Sequence, residues 1–425
     1  MTNRLPHFTV ALLVAIAASS SSASSQSLAN RIASTSDRSV QFSFAARPGV
    51  CGDGRTYIST GPGNFYGSYY TNSSEQCQAG PVRVMIDLAD RNVVAIRTYV
   101  GAPASPAAAG VTDLGNVAPA EAADYLLGVA ARADGRVGRD AIFAAILGDK
   151  VDATARLLEI GRDQNRPLET RRAALSGLVR SEPAQLDRVG SALVQIATNE
   201  NDVQGVRTQA LSVLSRLDQG AGIQPLVQLA SGNINSWIGR ESMRVLSSSG
   251  DPRARQFLRS AAQRNDLPDE LQAVAIRGLG RNYVTGQDAS LLRSLYPRLT
   301  GQRSRDAVLA SLSELGGTEN VQWLMGVVRD EKLTPEQRRR ALEYLSRAGA
   351  NTPSLLALYD PTPDPQLRSA LISIYSRLAD KAATDKLVWI ARNETNLQLK
   401  RRAISALSRN SDPTIRQALQ DIVER

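Results

Sequence analysis

Arg139-Asp140-Ala141-Ile142-Phe143-Ala144-Ala145-Ile146 is a short segment whose pattern of arginine, small residue, aliphatic residue and another apolar residue recurs along the chain. With Ile142 as the anchor, equivalents follow at intervals of 29 to 36 residues: Leu175, Leu211, Met243, Ile276, Leu309, Leu342, Leu371 and Ile404. A period of this length is typical of stacked helical repeats. The recurrence therefore predicts one architecture for most of the chain.

A second apolar series, made only of leucine, lies about fifteen residues past the anchors: Leu157, Leu193, Leu226, Leu258, Leu292, Leu324, Leu356, Leu387 and Leu419. Helix breakers such as Gly250-Asp251-Pro252 and Gly316-Gly317 separate the two series. Such breakers end one helix and begin the next. Each repeat is therefore predicted to be two antiparallel helices. Because one pair cannot bury its own apolar stripe, we expect about nine pairs to stack over residues 121–425.

Two segments carry a family resemblance. Asp364-Pro365-Gln366-Leu367-Arg368-Ser369-Ala370-Leu371 and Arg401-Arg402-Ala403-Ile404-Ser405-Ala406-Leu407 resemble the short HEAT-like repeats first recognised in phycobilin lyases. The resemblance covers about residues 120–425 and implies a right-handed α-solenoid. That repeat class serves mostly as an adaptor surface, so the resemblance implies binding. A lyase-type enzyme is a remote alternative, because shared repeats do not establish shared chemistry.

The first 25 residues have a basic start, an apolar run from Phe8 to Ala18 and a final stretch of small residues, as at a cleavage site. Together these features indicate a signal peptide. The apolar run is shorter than the roughly 20 residues that a membrane span needs. We therefore expect a soluble, exported protein, periplasmic or secreted. Residues 26–38 are small and polar, and are expected to form a flexible terminus.

Removal of Arg4 and His7 with this peptide would leave 49 basic residues against 41 acidic residues and no histidine. A Ser/His/Asp triad, a Cys/His pair and an imidazole-ligated zinc site all require histidine, so these classes are excluded. No catalytic motif, metal site or cofactor site is predicted, and the expected function is non-enzymatic.

The chain has two cysteines, Cys51 and Cys77, and export favours one disulfide between them. They lie in residues 39–100, where alternation of Val40, Phe42 and Phe44 and two later apolar runs predict a small β-module. Residues 101–120 are rich in Ala, Pro and Gly, and are predicted to link this module to the repeats.

The β-module contains the segment Asn64-Phe65-Tyr66-Gly67-Ser68-Tyr69-Tyr70. Tyrosine beside Gly and Ser can give a large contact area at low entropic cost. Tyr66, Tyr69 and Tyr70 are therefore candidate partner-binding residues. The alternative, which the pattern slightly favours, is that these rings pack over the disulfide.

Arginine stands three residues before the anchor in six repeats, as Arg139, Arg172, Arg240, Arg339, Arg368 and Arg401, and four before it as Arg207 and Arg305. These side chains either bond helix ends and carboxylates at the seams between repeats, or form a row that attracts an anionic partner. Trp237 is a further candidate contact residue, whereas Trp323 and Trp389 are expected to be partly buried in the core. The sequence thus favours a scaffold that binds a protein partner through its repeat surface, with acidic proteins among the candidate partners. The alternative is binding of an anionic envelope polysaccharide or peptidoglycan through the Tyr-rich loop or the arginine row. Nucleic acid is not expected as a partner.

Overall fold

The chain divides into two compact units, Met1–Ala153 and Thr154–Arg425. It is mainly helical and has a small N-terminal β region with a Cys51–Cys77 disulfide, which confirms the coarse fold class and the predicted pairing. The predicted signal peptide lies outside the described residues. The computed structural model describes residues 26–60, 65–66 (backbone only), 77–101, 110–133, 135–281, 285–378, 380–409, 416–417 and 419–420.

The first unit is built on a four-stranded sheet. Its strands are β1 (Ser39–Phe44), β5 (Val82–Ala89), β6 (Asn92–Val100) and β7 (Val111–Asn116), in the spatial order β6-β5-β1-β7. Strand β5 is antiparallel to β1 and β6, and β7 is parallel to β1. Val40, Phe42 and Phe44 are fully buried, so the predicted alternation marks a core face.

A second, smaller sheet contains Cys51, one of the two cysteines of the disulfide. It consists of β2 (Cys51–Gly52), β3 (Ile58–Ser59) and β4 (Phe65–Tyr66), joined in antiparallel fashion. Cys51 and Cys77 have their Cα atoms 5.2 Å apart.

Two boundary predictions need correction. The expected flexible terminus contains helix α1 (Leu28–Ala33), because Leu28 and Ile32 lie one turn apart and are both buried. The Leu28 amide donates to Glu121 at 2.6 Å. The expected linker contains strand β7, which completes the sheet; its residues 102–109 lie outside the described residues.

Helices α2 (Pro119–Ala130) and α3 (Gly135–Ala145) complete the first unit. They pack on each other, and α3 also packs on β6. The first anchor, Ile142, is therefore buried in the unit that holds the β region.

The second unit is a succession of helices. They are α4 (Thr154–Arg162), α5 (Leu168–Gly177), α6 (Leu186–Thr198), α7 (Gln204–Leu214), α8 (Ile223–Gly232), α9 (Trp237–Leu246), α10 (Pro252–Ala262), α11 (Asp269–Gly280), α12 (Gly286–Leu295), α13 (Gln302–Leu315), α14 (Thr318–Arg329), α15 (Pro335–Arg347), α16 (Thr352–Leu356), α17 (Pro365–Tyr375), α18 (Lys381–Asn393) and α19 (Leu397–Leu407). The odd-numbered helices carry the anchors and are called first helices here; the even-numbered ones are called second helices.

Each first helix packs against the next first helix, from α5 to α19. The second helices from α4 to α14, together with α18, pack on the first helix that follows each of them. The short helix α16 is joined to α17 by the Tyr375 hydroxyl, which donates to the Leu355 carbonyl at 2.8 Å. The anchors Leu175 to Leu371 are buried at their core-facing positions, while Ile404 in α19 is half-buried. In the short helix α16, Leu355 is buried in place of the predicted Leu356, because a shift of one residue turns a helical side chain by about 100°.

The predicted breakers begin and end helices. Asp251 caps α10 directly before Pro252, and its carboxylate accepts from the Arg253 amide at 2.8 Å. Gly316 and Gly317, between α13 and α14, both have a positive φ, which glycine adopts without steric cost. None of the described helices is long and apolar enough to span a membrane.

Candidate functional site

The arginines of the repeats occupy two different registers, and the first faces the seam between helices. In four repeats, the residue four positions before the anchor donates a hydrogen bond to a carbonyl in the last turn of the preceding second helix. Three of these bonds join an arginine Nε to a backbone carbonyl: Arg171 to Gly161 (3.1 Å), Arg207 to Ala197 (3.0 Å) and Arg338 to Val328 (2.8 Å). In the fourth, Nε2 of Gln272 donates to the Ala262 carbonyl (3.1 Å). These carbonyls have no partner inside their own helix, so the bonds satisfy buried acceptors and fix adjacent helices.

Buried acids reinforce the seams. Asp202, in the loop before α7, accepts two bonds from Arg171, and the Arg171 side chain is 2% exposed. Burial would raise the pKa of Asp202, but the bonds from Arg171 and from the Val203 amide outweigh it and lower that pKa. The seam register was visible in the sequence as a long hydrogen-bond donor four residues before most anchors.

A similar cluster joins α10 and α12. The fully buried Asp288 accepts from Arg255 and Arg259, each at 2.6 Å, and from the Thr285 hydroxyl at 2.8 Å. Burial opposes ionisation, but these bonds outweigh it and hold the pKa of Asp288 well below its usual range. The carboxylate is fully occupied by structural partners.

A third buried acid lies near the C-terminal end of the repeats. Glu394 accepts from the Tyr359 hydroxyl at 2.8 Å and from Arg368 at 3.1 Å. Burial is the largest cause that raises the pKa of Tyr359, followed by its bond to Glu394. Arg368 also donates to the Thr362 carbonyl at 2.6 Å, so it belongs to the seams, which is one of the two alternatives that the sequence left open for it.

In the second register, three residues before the anchor, the arginines other than Arg368 point toward solvent. Arg139 pairs with Asp140, and Arg339 pairs with Glu336 and Glu343. Arg172, Arg240 and Arg401 are exposed, and no described acid or carbonyl is bonded to their guanidinium groups. The predicted row is thus divided into seam, paired and unpaired members.

Two of the unpaired arginines flank exposed apolar side chains on three successive first helices. Leu168 at the start of α5 is 42% exposed, and Val203 directly before α7 is 54% exposed. Trp237 begins α9 and is half-buried. Arg172 lies one turn after Leu168, and Arg240 lies one turn after Trp237. These five residues are called the α5–α7–α9 edge.

The edge is continuous because neighbouring helices contact one another there. A Cβ atom built on Gly205 in α7 would lie 3.2 Å from Leu168, so the two helix starts touch. The Arg207 guanidinium lies 4.4 Å from the centre of the Trp237 ring, while its Nε is held by the seam bond. Trp237 is therefore held in place without being buried.

Other predicted contact residues have different surroundings. The Tyr66 side chain, Tyr69 and Tyr70 lie outside the described residues. Trp323 is half-buried against the edge of Tyr296, with ring centres 5.4 Å apart. Trp389, for which partial burial in the core was expected, is 47% exposed, with the Lys386 ammonium 4.3 Å from its ring centre. The reason is its place two residues after the buried Leu387, on another face of α18.

The described residues include no group of three or more His, Cys, Asp or Glu side chains placed to hold a metal ion. The buried acids of that same portion are all bonded to structural partners.

No family model matches this chain. No curated protein matches it either. Among solved structures, human deoxyhypusine hydroxylase with glycerol is 16% identical over 57% of this chain and 96% of that one, with a TM-score of 0.27. A lipovitellin structure is 13% identical over 87% of this chain and 41% of that one, with a TM-score of 0.43. A TOG-domain array structure is 11% identical over 71% of this chain and 96% of that one, with a TM-score of 0.25.

Proposed function

We propose that this chain is an exported, non-enzymatic scaffold. Its helical repeats together form a right-handed solenoid of short HEAT-like helix pairs. Support for the solenoid comes from the contacts between successive first helices and from the buried anchors. The second unit contains eight first helices, one for each of eight of the roughly nine predicted helix pairs. The disulfide is compatible with export.

The α5–α7–α9 edge is the proposed site at which the scaffold binds a protein partner. The observation that carries this proposal is the exposure of Leu168 and Val203 beside two arginines that have no described acid partner. Interfaces are enriched in aromatic and arginine side chains around an apolar centre, and this edge combines them.

The charge of the edge indicates an acidic partner segment. Glu241 is occupied by Arg244 at 2.7 Å, and Asp202 is occupied by Arg171. Glu169 is the exposed acid on the first turn of α5. A partner that presents carboxylates beside apolar side chains would pair with Arg172 and Arg240 while covering Leu168, Val203 and Trp237.

Site-specific photo-crosslinking tests this proposal. A photoreactive amino acid is placed at Val203 in the full chain, and a matched control carries it at Gln228, an exposed residue of the second helix α8. We expect a discrete protein adduct from position 203 and none from position 228. A polysaccharide adduct at 203 would favour the envelope-polymer alternative, and equal labelling at both positions would rule out the edge as a specific site.

A further inference from the structure

The first unit contains an open groove that is separate from the α5–α7–α9 edge. Its cavity volume is about 900 Å³, which is within the size range of small-molecule sites. Helix α1, the turn between β5 and β6, helix α2 and the start of α3 line it. All four elements belong to one compact unit.

The floor of the groove is aliphatic. Ile32 from α1 and Val129 from α2 are buried beneath it, and the half-buried side chains of Leu88, Val93 and Val137 give the floor its accessible aliphatic surface. Tyr125 lies one turn before Val129 on α2, and Arg132 lies in the turn directly after this helix, where its amide donates to the Val129 carbonyl at 3.0 Å. The groove therefore passes from an apolar floor to a polar rim near the C-terminal end of α2.

Three arginines stand at the rim: Arg38, Arg91 and Arg132. All three are exposed, and in the portion that the structure describes no carboxylate forms an ion pair with them. Two aspartates also line the groove. Asp37 accepts from the Thr112 hydroxyl at 2.5 Å, and Asp90 is in the hairpin turn. The rim thus carries an excess of positive charge.

Arg91 has an unusual backbone conformation. The turn between β5 and β6 consists of Asp90 and Arg91, both with positive φ, at 50° and 63°. A two-residue turn of this kind favours Asn-Gly, because glycine adopts positive φ without a steric cost. The chain instead places a guanidinium there, at the mouth of the groove.

We infer that this groove binds an amphiphile whose aliphatic body covers the floor and whose anionic head group pairs with the rim arginines. A simple anion would leave the apolar floor in contact with water, and a neutral hydrocarbon would gain nothing from the guanidinium groups. A polysaccharide would not match the aliphatic floor. The inference does not depend on the proposed partner-binding function.

Calorimetric titration of the full mature chain tests the inference with four probes: decanoate, decyl phosphate, 1-decanol and acetate. Each charge-assisted bond contributes roughly a tenfold change in affinity. Decanoate or decyl phosphate should therefore bind at least tenfold more tightly than decanol, and acetate should not compete. Comparing the two acids identifies the preferred head group.

Variants then assign the binding to the groove. Arg91→Gly should weaken decanoate binding about tenfold while leaving decanol binding unchanged, and it should raise thermal stability by relieving the turn. Arg132→Gln should weaken decanoate binding in the same way. The control Arg97→Ala removes an arginine of the same hairpin that pairs with Asp87 away from the groove, and should bind decanoate like the parent chain.

Three results would overturn the inference. The first is equal affinity for decanoate and decanol. The second is unchanged decanoate affinity in a folded Arg91→Gly/Arg132→Gln double variant. The third is displacement of decanoate by acetate, which would indicate an anion site without an apolar component.

Discussion

Arg171 and Arg172 are adjacent in the chain, yet the structure predicts opposite consequences when each is replaced by methionine. Arg171 is buried, bonded to the Gly161 carbonyl and paired with Asp202. Arg172 is exposed and has no described partner for its guanidinium. Methionine keeps the helix propensity and much of the aliphatic length, so the comparison isolates the charged group.

Removing one partner of a buried ion pair costs about 3–5 kcal/mol, because the other charge is left uncompensated. We therefore expect Arg171→Met to lower the free energy of unfolding by roughly that amount. Arg172→Met should change it by no more than about 0.5 kcal/mol, as is usual for exposed positions. The variant Asp202→Asn, added to Arg171→Met, should recover part of the loss because it removes the unpaired charge.

Denaturant unfolding, followed by circular dichroism, gives these free energies where the transition is two-state. Because arrays of repeats can unfold in stages, amide hydrogen exchange in α5 and α7 provides a local measurement. Faster exchange should appear in Arg171→Met and be absent in Arg172→Met. If the two variants lost stability equally, within about 0.5 kcal/mol, the assignment of two arginine registers would be refuted.

Further predictions concern the stability of the protein at acid pH, the unsatisfied hydrogen-bond donor of Arg305 and the disulfide. The folded-state pKa of Asp288 is depressed, so the stability that its ionised carboxylate contributes is present above about pH 4 and is lost as pH falls toward the folded pKa. The melting temperature of Asp288→Asn should therefore depend less on pH in this acid range than that of the parent chain. Arg305 occupies the seam register but its buried Nε has no hydrogen-bond partner, so Arg305→Met should cost less than about 1 kcal/mol, whereas Arg338→Met should cost about 1.5–3 kcal/mol in denaturant unfolding. Reduction of Cys51–Cys77 should destabilise the first unit by about 3–4 kcal/mol and leave hydrogen exchange in the second unit unchanged.

The unsatisfied donor at Arg305 has a local cause. The preceding second helix, α12, continues into a 3₁₀ turn at Tyr296–Arg298. In this turn the Leu299 amide donates a hydrogen bond to the Leu295 carbonyl at 3.2 Å. Leu295 is ten residues before Arg305, the spacing at which the other seam bonds form. An irregular turn thus removes the acceptor while the arginine stays.

The sequence predicted the repeated helices well, because the anchors face the core and recur at a regular interval although the residues between them differ from repeat to repeat. It could not assign the arginines, since Arg171-Arg172 and Arg338-Arg339 place arginine in both registers at once. Neighbouring positions differ by about 100° around a helix, so one residue decides between a buried seam and solvent. Only the contacts of each side chain separate the two.

The short elements of the first unit were harder to predict. Strand β7 lies directly after an Ala/Pro-rich stretch, and its pairing partner β1 is far away in sequence. Helix α1 has only six residues, and its stability depends on tertiary contacts of Leu28 and Ile32. Neither signal is visible in a local window of sequence.

The most direct test of the scaffold proposal is the affinity of the crosslinked partner for edge variants of the full chain. Arg172→Ala/Arg240→Ala and Trp237→Ala should each weaken binding at least tenfold, and the arginine variant should also reduce its dependence on salt. The control Arg264→Ala, which removes an exposed arginine already paired with Asp266, should bind like the parent chain. Unchanged affinity in both edge variants, with the chain still folded, would contradict the proposal.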